Sequence, residues 1–173
     1  GKSFEVLSRD DPDADLAMLA GQLARYRYLL DDLDGALEPL EFALEVAESL
    51  LIPDVLSDAL NTKGLIATGN GHREEGLALM QRALEVALEH DLAESAARAY
   101  FNLSYLRSGR DRLAEAASAD EAGLELVARR GNRQWEEAFR SHLRGYGYVL
   151  GDWDEIDVEL GELESGSWDA LPW

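Results

Sequence analysis

The residues best suited to do chemistry are few, and their spacing defeats most of the roles they suggest. Gly69-Asn70-Gly71 followed by Gly76 has the outline of a phosphate-cradling loop. It lacks the Lys-Ser/Thr of a P-loop, the spacing of a dinucleotide fingerprint and a preceding strand, so the segment predicts a turn. His72, His90 and His142 are scattered with no second histidine four residues on, which gives no helical zinc pair. Carboxylates abound, yet none stands in an apolar setting that would raise its affinity for a proton, and they predict a solvated face. The serines lack a nucleophile-elbow context, and there is no cysteine for a disulfide or a thiolate metal site. The expectation is a chain that is not an enzyme, with no catalytic residues, metal or cofactor.

What positions these residues is a repeat. Ala36, Gly76 and Ala116 fall forty residues apart, with Ile156 at the fourth position, and no gap is needed. Seven residues further on stand Ala43, Ala83 and Gly123, each followed by leucine, while Leu163 and Glu164 depart from the pattern. Upstream, Ala24, Gly64, Ser104 and Arg144 share one register, beside Leu23, Lys63, Leu103 and Leu143. Within each unit the apolar spacing is helical in two blocks separated by a Gly/Asp/Asn break. Stacked copies of such a helix pair bury one continuous core that no single pair could bury alone. The predicted helices are 14–30, 34–51, 54–68, 73–89, 92–108, 111–130, 134–150 and 152–163. Asp11-Pro12 predicts an N-cap followed by proline at the first helical position. Pro39 must lie in a first turn or kink its helix, and Gly131-Asn132 reads as a helix stop. The fold expected is all-α, an α-solenoid of about four antiparallel helix pairs, 14–53, 54–93, 94–133 and 134–163, forming one domain over 1–173. Residues 164–173, with Trp168, Leu171 and Trp173, then form a cap or tail.

Gly151-Asp152-Trp153-Asp154-Glu155, together with the small residues at 36, 76 and 116 and at 43, 83 and 123, resembles the tetratricopeptide repeat. The forty-residue period exceeds the roughly 34 of the standard unit. It is similar to the extended form in regulators of the maltose-activator type, in signalling ATPases and in Leu-Gly-Asn adaptor proteins. Asp120 stands where that pattern has a large apolar residue, and Arg144 where it has a small one. A HEAT-type solenoid is the alternative, since its period also lies near forty, but it leaves the Gly-Asp-Trp-Asp-Glu turn unexplained. The resemblance implies a right-handed superhelix whose first helices line a concave groove. Carried over residue by residue, the peptide-binding positions are Arg25, Tyr28, Asn61, Arg98, Phe101, Asn102, Tyr105, His142 and Tyr148, with Gln22, Leu65, Thr68 and Ser141 beside them. It also implies a non-catalytic protein- or peptide-binding scaffold, the sensor or adaptor segment of a larger bacterial regulator. Self-association through the Trp-rich tail into a homodimer is the alternative.

Composition sets the limits. With 35 acidic and 16 basic residues the net charge is −19, and Lys2 and Lys63 are the only lysines. Nucleic acid and anionic membranes would be repelled, which leaves a salt-adapted exterior or a basic partner. No apolar run approaches ~20 residues and no basic-then-apolar leader is visible, so a cytoplasmic location is expected. The start at Gly1-Lys2-Ser3 suggests a fragment or processed chain. A chain of 173 residues can bury about 70% of its unfolded surface.

Overall fold

The computed structural model describes residues 13–109 and 112–151. Seven α-helices follow one another: α1 (Ala14–Leu29), α2 (Leu33–Ser49), α3 (Pro53–Gly69), α4 (Arg73–Glu89), α5 (Ala93–Ser108), α6 (Leu113–Arg130) and α7 (Arg133–Leu150). No strand occurs among the described residues. Each helix packs on the next, giving an all-α, solenoid-like array. The helix predicted over 152–163 and the tail beyond it lie outside the described residues.

The helices end in one recurring way. The amide of Asp32 donates to the Arg27 carbonyl at 2.9 Å, Ile52 to Ala47 at 2.9 Å, His72 to Ala67 at 2.9 Å and Leu92 to Ala87 at 2.8 Å. Arg112 to Arg107 at 3.3 Å and Asn132 to Val127 at 3.1 Å complete a series that recurs every twenty residues. Where described, the residue before each donor is left-handed: φ is 62° at Asp31, 55° at Leu51, 88° at Gly71, 56° at Asp91 and 68° at Gly131. These are Schellman closures, which satisfy carbonyls that a helix end would leave bare. Turns within a repeat and turns between repeats therefore share one geometry. Gly131-Asn132 is the helix stop expected, and Asn70-Gly71 is a turn. Leu51 is the costly member, because a left-handed leucine is disfavoured by about 1 kcal/mol while its side chain is 85% exposed and loses little packing if removed. Leu51→Gly is expected to raise stability by about 1 kcal/mol in urea denaturation; no gain would show that the turn is not strained.

At the N-terminal end the capping role falls to Asp13, whose carboxylate accepts from the Leu16 amide at 2.8 Å. Asp11-Pro12, where the sequence suggested the cap, lies outside the described residues. Pro39 is neither in a first turn nor near an end: it is the seventh residue of α2 and is buried. A proline there removes the amide that would bond the carbonyl four residues earlier, that of Gly35. Arg27 supplies the replacement, its Nη1 donating to the Gly35 carbonyl across the α1–α2 turn. Arg27→Met is expected to cost about 1 kcal/mol, and less in a Pro39→Ala background, where residue 39 regains its amide. Equal costs in both backgrounds would break the link.

The core is a run of clusters rather than one ball. Ala17, Ala24, Ala36, Leu40, Ala43 and Ile66 belong to the first, spanning α1 to α3. Met80, Leu84, Ala96 and Leu103 belong to the second, and Ala97, Val127 and Phe139 form the third. Small residues set the closest crossings: a Cβ on Gly64 would lie 2.8 Å from the Gly76 carbonyl oxygen. The α1 helix packs on α3 and α3 on α5, whereas the even-numbered helices do not meet in the same way. Such an array curves with its odd-numbered helices on the inner face. Among the described residues no helix is long and apolar enough to cross a membrane.

Candidate functional site

The inner face is stitched by polar bonds between residues one repeat apart. Arg98 on α5 donates to Asp58 on α3 at 2.6 Å, and Asn102 donates to the Asn61 side-chain oxygen at 2.9 Å. Trp135 Nε1 on α7 reaches Glu94 on α5 at 2.7 Å, and Asn132 reaches the other oxygen of the same carboxylate at 3.1 Å. Each bond holds two odd-numbered helices at fixed spacing. Three of the residues expected to hold a peptide, Asn61, Arg98 and Asn102, are thus committed to joining repeats. Asn61 is only 1% exposed, so of the two amides Asn102 is the nearer to solvent.

Phe101 and His142 are likewise brought together, but by each other. Their rings stack with centroids 4.0 Å apart and planes 23° apart, and Phe101 also meets Trp135 edge-on at 5.6 Å and Phe139 at 6.1 Å. This packing fills the gap between α5 and α7. Arg25, Tyr105 and Tyr148 remain exposed. Tyr28 is half-buried; burial first, then neighbouring Tyr105 and Asp31, push its phenol above the usual range. Of the flanking residues, Gln22 is exposed and Leu65, Thr68 and Ser141 are placed between half-buried and exposed.

Asp120 explains its own departure from the repeat pattern. Its register partners Leu40 and Met80 are buried and apolar, and Asp120 is buried too. Ser104, where α1 has Ala24 and α3 has Gly64, donates its hydroxyl to the Asp120 carboxylate. His142 Nδ1 lies 3.2 Å from the same oxygen. Ser104 has one proton and spends it on the carboxylate, so Tyr146, at 2.6 Å, donates to the Ser104 oxygen. Burial is the main cause that pushes the Tyr146 phenol up and keeps it a donor. Serine, histidine and aspartate here invite comparison with a nucleophilic triad. A triad needs the imidazole to face the serine through one nitrogen and the carboxylate through the other. Here Ser104, at 3.5 Å, and Asp120 both face Nδ1, and Ser104 is fully buried. The cluster can hold α5, α6 and α7 together, but it has no relay.

Where α1 meets α3 the inner face opens into a cleft of about 230 Å³, lined by Gly21, Gln22, Arg25, Val55, Asp58 and Arg98 among others. The cause is a register position. Residue 61 is an asparagine spanning α3 to α5 and residue 101 a phenylalanine filling the space before α7, but residue 21 is glycine and fills nothing. Arg25 stands beside the Asp58–Arg98 pair. Burial lowers its proton affinity most, Arg98 lowers it further and Asp58 opposes both. The pair is joined through a single bond that leaves the buried Arg98 Nε and Asp58 Oδ1 without partners. Sequence reasoning found Arg25 and Arg98 but missed Gly21 and Asp58. A signal for Asp58 existed: it lies one forty-residue period before Arg98 with the opposite charge.

No group of residues among those described could hold a metal ion. Compared with models of known protein families and with curated proteins, the sequence matches none.

Proposed function

We propose that this chain is a non-catalytic protein- or peptide-binding scaffold that works through the inner face of its helix array. The observation that carries this reading is the cleft between α1 and α3, where Arg25, Arg98, Asp54 and Asp58 line a concavity with Met18 and Val55 as apolar wall. A concave face that combines charged side chains with an apolar wall suits an extended ligand that brings its own polar groups. The forty-residue helix-pair repeat and its turn residues support membership of the tetratricopeptide family, and through it a place as the sensor or adaptor segment of a larger bacterial signalling or transcription regulator in the cytoplasm. The charge of −19 disfavours nucleic acid and anionic membranes as direct partners.

A random peptide library selected against the wild-type chain and against an Arg25→Ala, Tyr105→Ala double variant tests the reading. Both positions are exposed and make no bond between repeats among the described residues, so the variant is expected to stay folded by circular dichroism. Arg98 and Asn102 are unsuitable here because their loss would unstitch α3 from α5. Enrichment on the wild type alone is expected; equal enrichment on both would move binding off this face. The ends of the array favour a second reading, self-association. Leu19, Tyr26 and Leu30 on one side and Tyr148, Val149 and Leu150 on the other are large, apolar and more than half exposed. A mass that rises with concentration in sedimentation would support it.

A further inference from the structure

We propose that a groove between α2 and α4 docks a segment of a partner protein that presents one large apolar side chain beside an arginine or lysine. This is a second surface, which shares no lining residue with the cleft between α1 and α3. The groove measures about 330 Å³; Ile52, Pro53, Leu56 and Val86 supply its apolar wall, with Leu51 beside them. Leu51 is the residue that the fold does not explain. The other left-handed helix ends among the described residues carry Asp or Gly, which adopt that conformation more readily than leucine does. Its side chain is 85% exposed, so core packing does not offset the strain. A residue strained in its backbone and bare in its side chain is accounted for when something covers it.

The same place one repeat on is closed. Ala87, Asp91, Leu92, Ala93, Ala96 and Leu126 stand forty residues after Ala47, Leu51, Ile52, Pro53, Leu56 and Val86, and the space that they line is only about 20 Å³. There Leu126 packs against the second core cluster, and Asp91 is bonded to Arg130 at the end of α6. Two register changes accompany the opening: Val86 stands in place of Leu126, and Leu51 in place of Asp91. Charge then selects the occupant. The carboxylates of Glu48 and Glu89 line the groove with one arginine, Arg82, which is already shared by Glu85 at 3.2 Å and Glu89 at 3.7 Å. The α2 helix carries five carboxylates and no basic residue; Lys63 answers Glu41 at 2.8 Å, while Glu48 has no ion pair among the described residues. An arginine or lysine flanking the apolar anchor would meet Glu48. An acidic segment would be repelled, and so would a second copy of a chain with net charge −19.

The test selects a random peptide library on the wild type, on Leu51→Asp, on Val86→Leu and on the Arg25→Ala, Tyr105→Ala variant, each checked for helicity. Leu51→Asp copies the turn at Asp91 and should fold whatever Val86→Leu does; Val86→Leu fills the groove from within, as Leu126 does. Expected is a class of peptides that binds the inner-face variant undiminished and binds Leu51→Asp about tenfold or more weakly, although that change adds a negative charge. Its members should share a large aliphatic or aromatic residue beside Arg or Lys, and should bind less well to Val86→Leu and at raised salt. Absence of this class, equal binding to wild type and Leu51→Asp, or anchors flanked by Asp or Glu would overturn the proposal. Peptides lost only on the inner-face variant belong to the function proposed above, so the two readings fail separately. A wild-type mass that rises with concentration, and does not rise in Leu51→Asp, would give the groove to a second copy. Peptide binding that appears only when residues 164–173 are removed would give it to the chain's own tail. Either result overturns the proposal.

Discussion

Phe139→Ala is expected to lower the free energy of unfolding by about 3–5 kcal/mol, the range for deleting a fully buried aromatic ring. Phe139 is completely buried and sits in a recess that exists because residue 123 is glycine. A Cβ on Gly123 would come within 2.4 Å of the phenyl ring. The earlier repeats solve the same meeting differently, with Ala43 and Ala59, then Ala83 and Ala99, all buried. Where the third repeat meets the fourth, two alanines have been exchanged for a glycine and a phenylalanine. Gly123→Ala alone should therefore be destabilising through overpacking. In the Phe139→Ala background it should be neutral or favourable, since it restores the alanine pair. The coupling between the two changes is expected to be about 2 kcal/mol, read from urea unfolding of the four species. Additive effects would show that ring and recess are independent.

Gly76→Ala is the second large effect, and its sign is decided by two opposed magnitudes. Alanine is the better helix former by about 1 kcal/mol. Its Cβ, however, would lie 2.6 Å from the Gly64 carbonyl oxygen, and also against the Thr68 hydroxyl. Threonine can rotate away, but a carbonyl fixed in α3 cannot. Overpacking of this kind costs about 3 kcal/mol, so a net loss of about 2 kcal/mol is expected. The equivalent residues Ala36 and Ala116 are buried alanines already, because Ala24 and Ser104 replace Gly64 and hold the helices apart. A thermal melt of Gly76→Ala that matches or exceeds the wild type would refute the close crossing.

The repeat was legible because it is written in small residues at fixed spacing, which depends only on how closely helices can cross. Helix ends followed within about two residues for the same reason. The equivalence of the two kinds of turn was hidden. Gly71, Gly131 and Gly151 advertise a left-handed residue at those ends, while Asp31, Leu51 and Asp91 adopt the same conformation unmarked. Pro39 looked like a boundary or a kink, because the guanidinium that repairs its missing bond comes from another helix. The polar inner-face residues were correctly placed on odd-numbered helices, yet pattern alone could not tell a free amide from one already bonded. Asn61 and Asn102 look alike in sequence and differ in burial because their neighbours one repeat away differ. Gly21 was overlooked because an absent side chain carries meaning only against Asn61 and Phe101 in the same register.

The bonds between odd-numbered helices all lie along one side of the array, and this gives the molecule a mechanical direction. Further closure is resisted by side chains already in contact. Flattening has to lengthen Arg98–Asp58, at 2.6 Å, and Asn102–Asn61, at 2.9 Å, between α3 and α5, and Trp135–Glu94, at 2.7 Å, between α5 and α7. The array is thus tethered against opening where α3 meets α5 and where α5 meets α7, and its give is concentrated where the cleft parts α1 from α3.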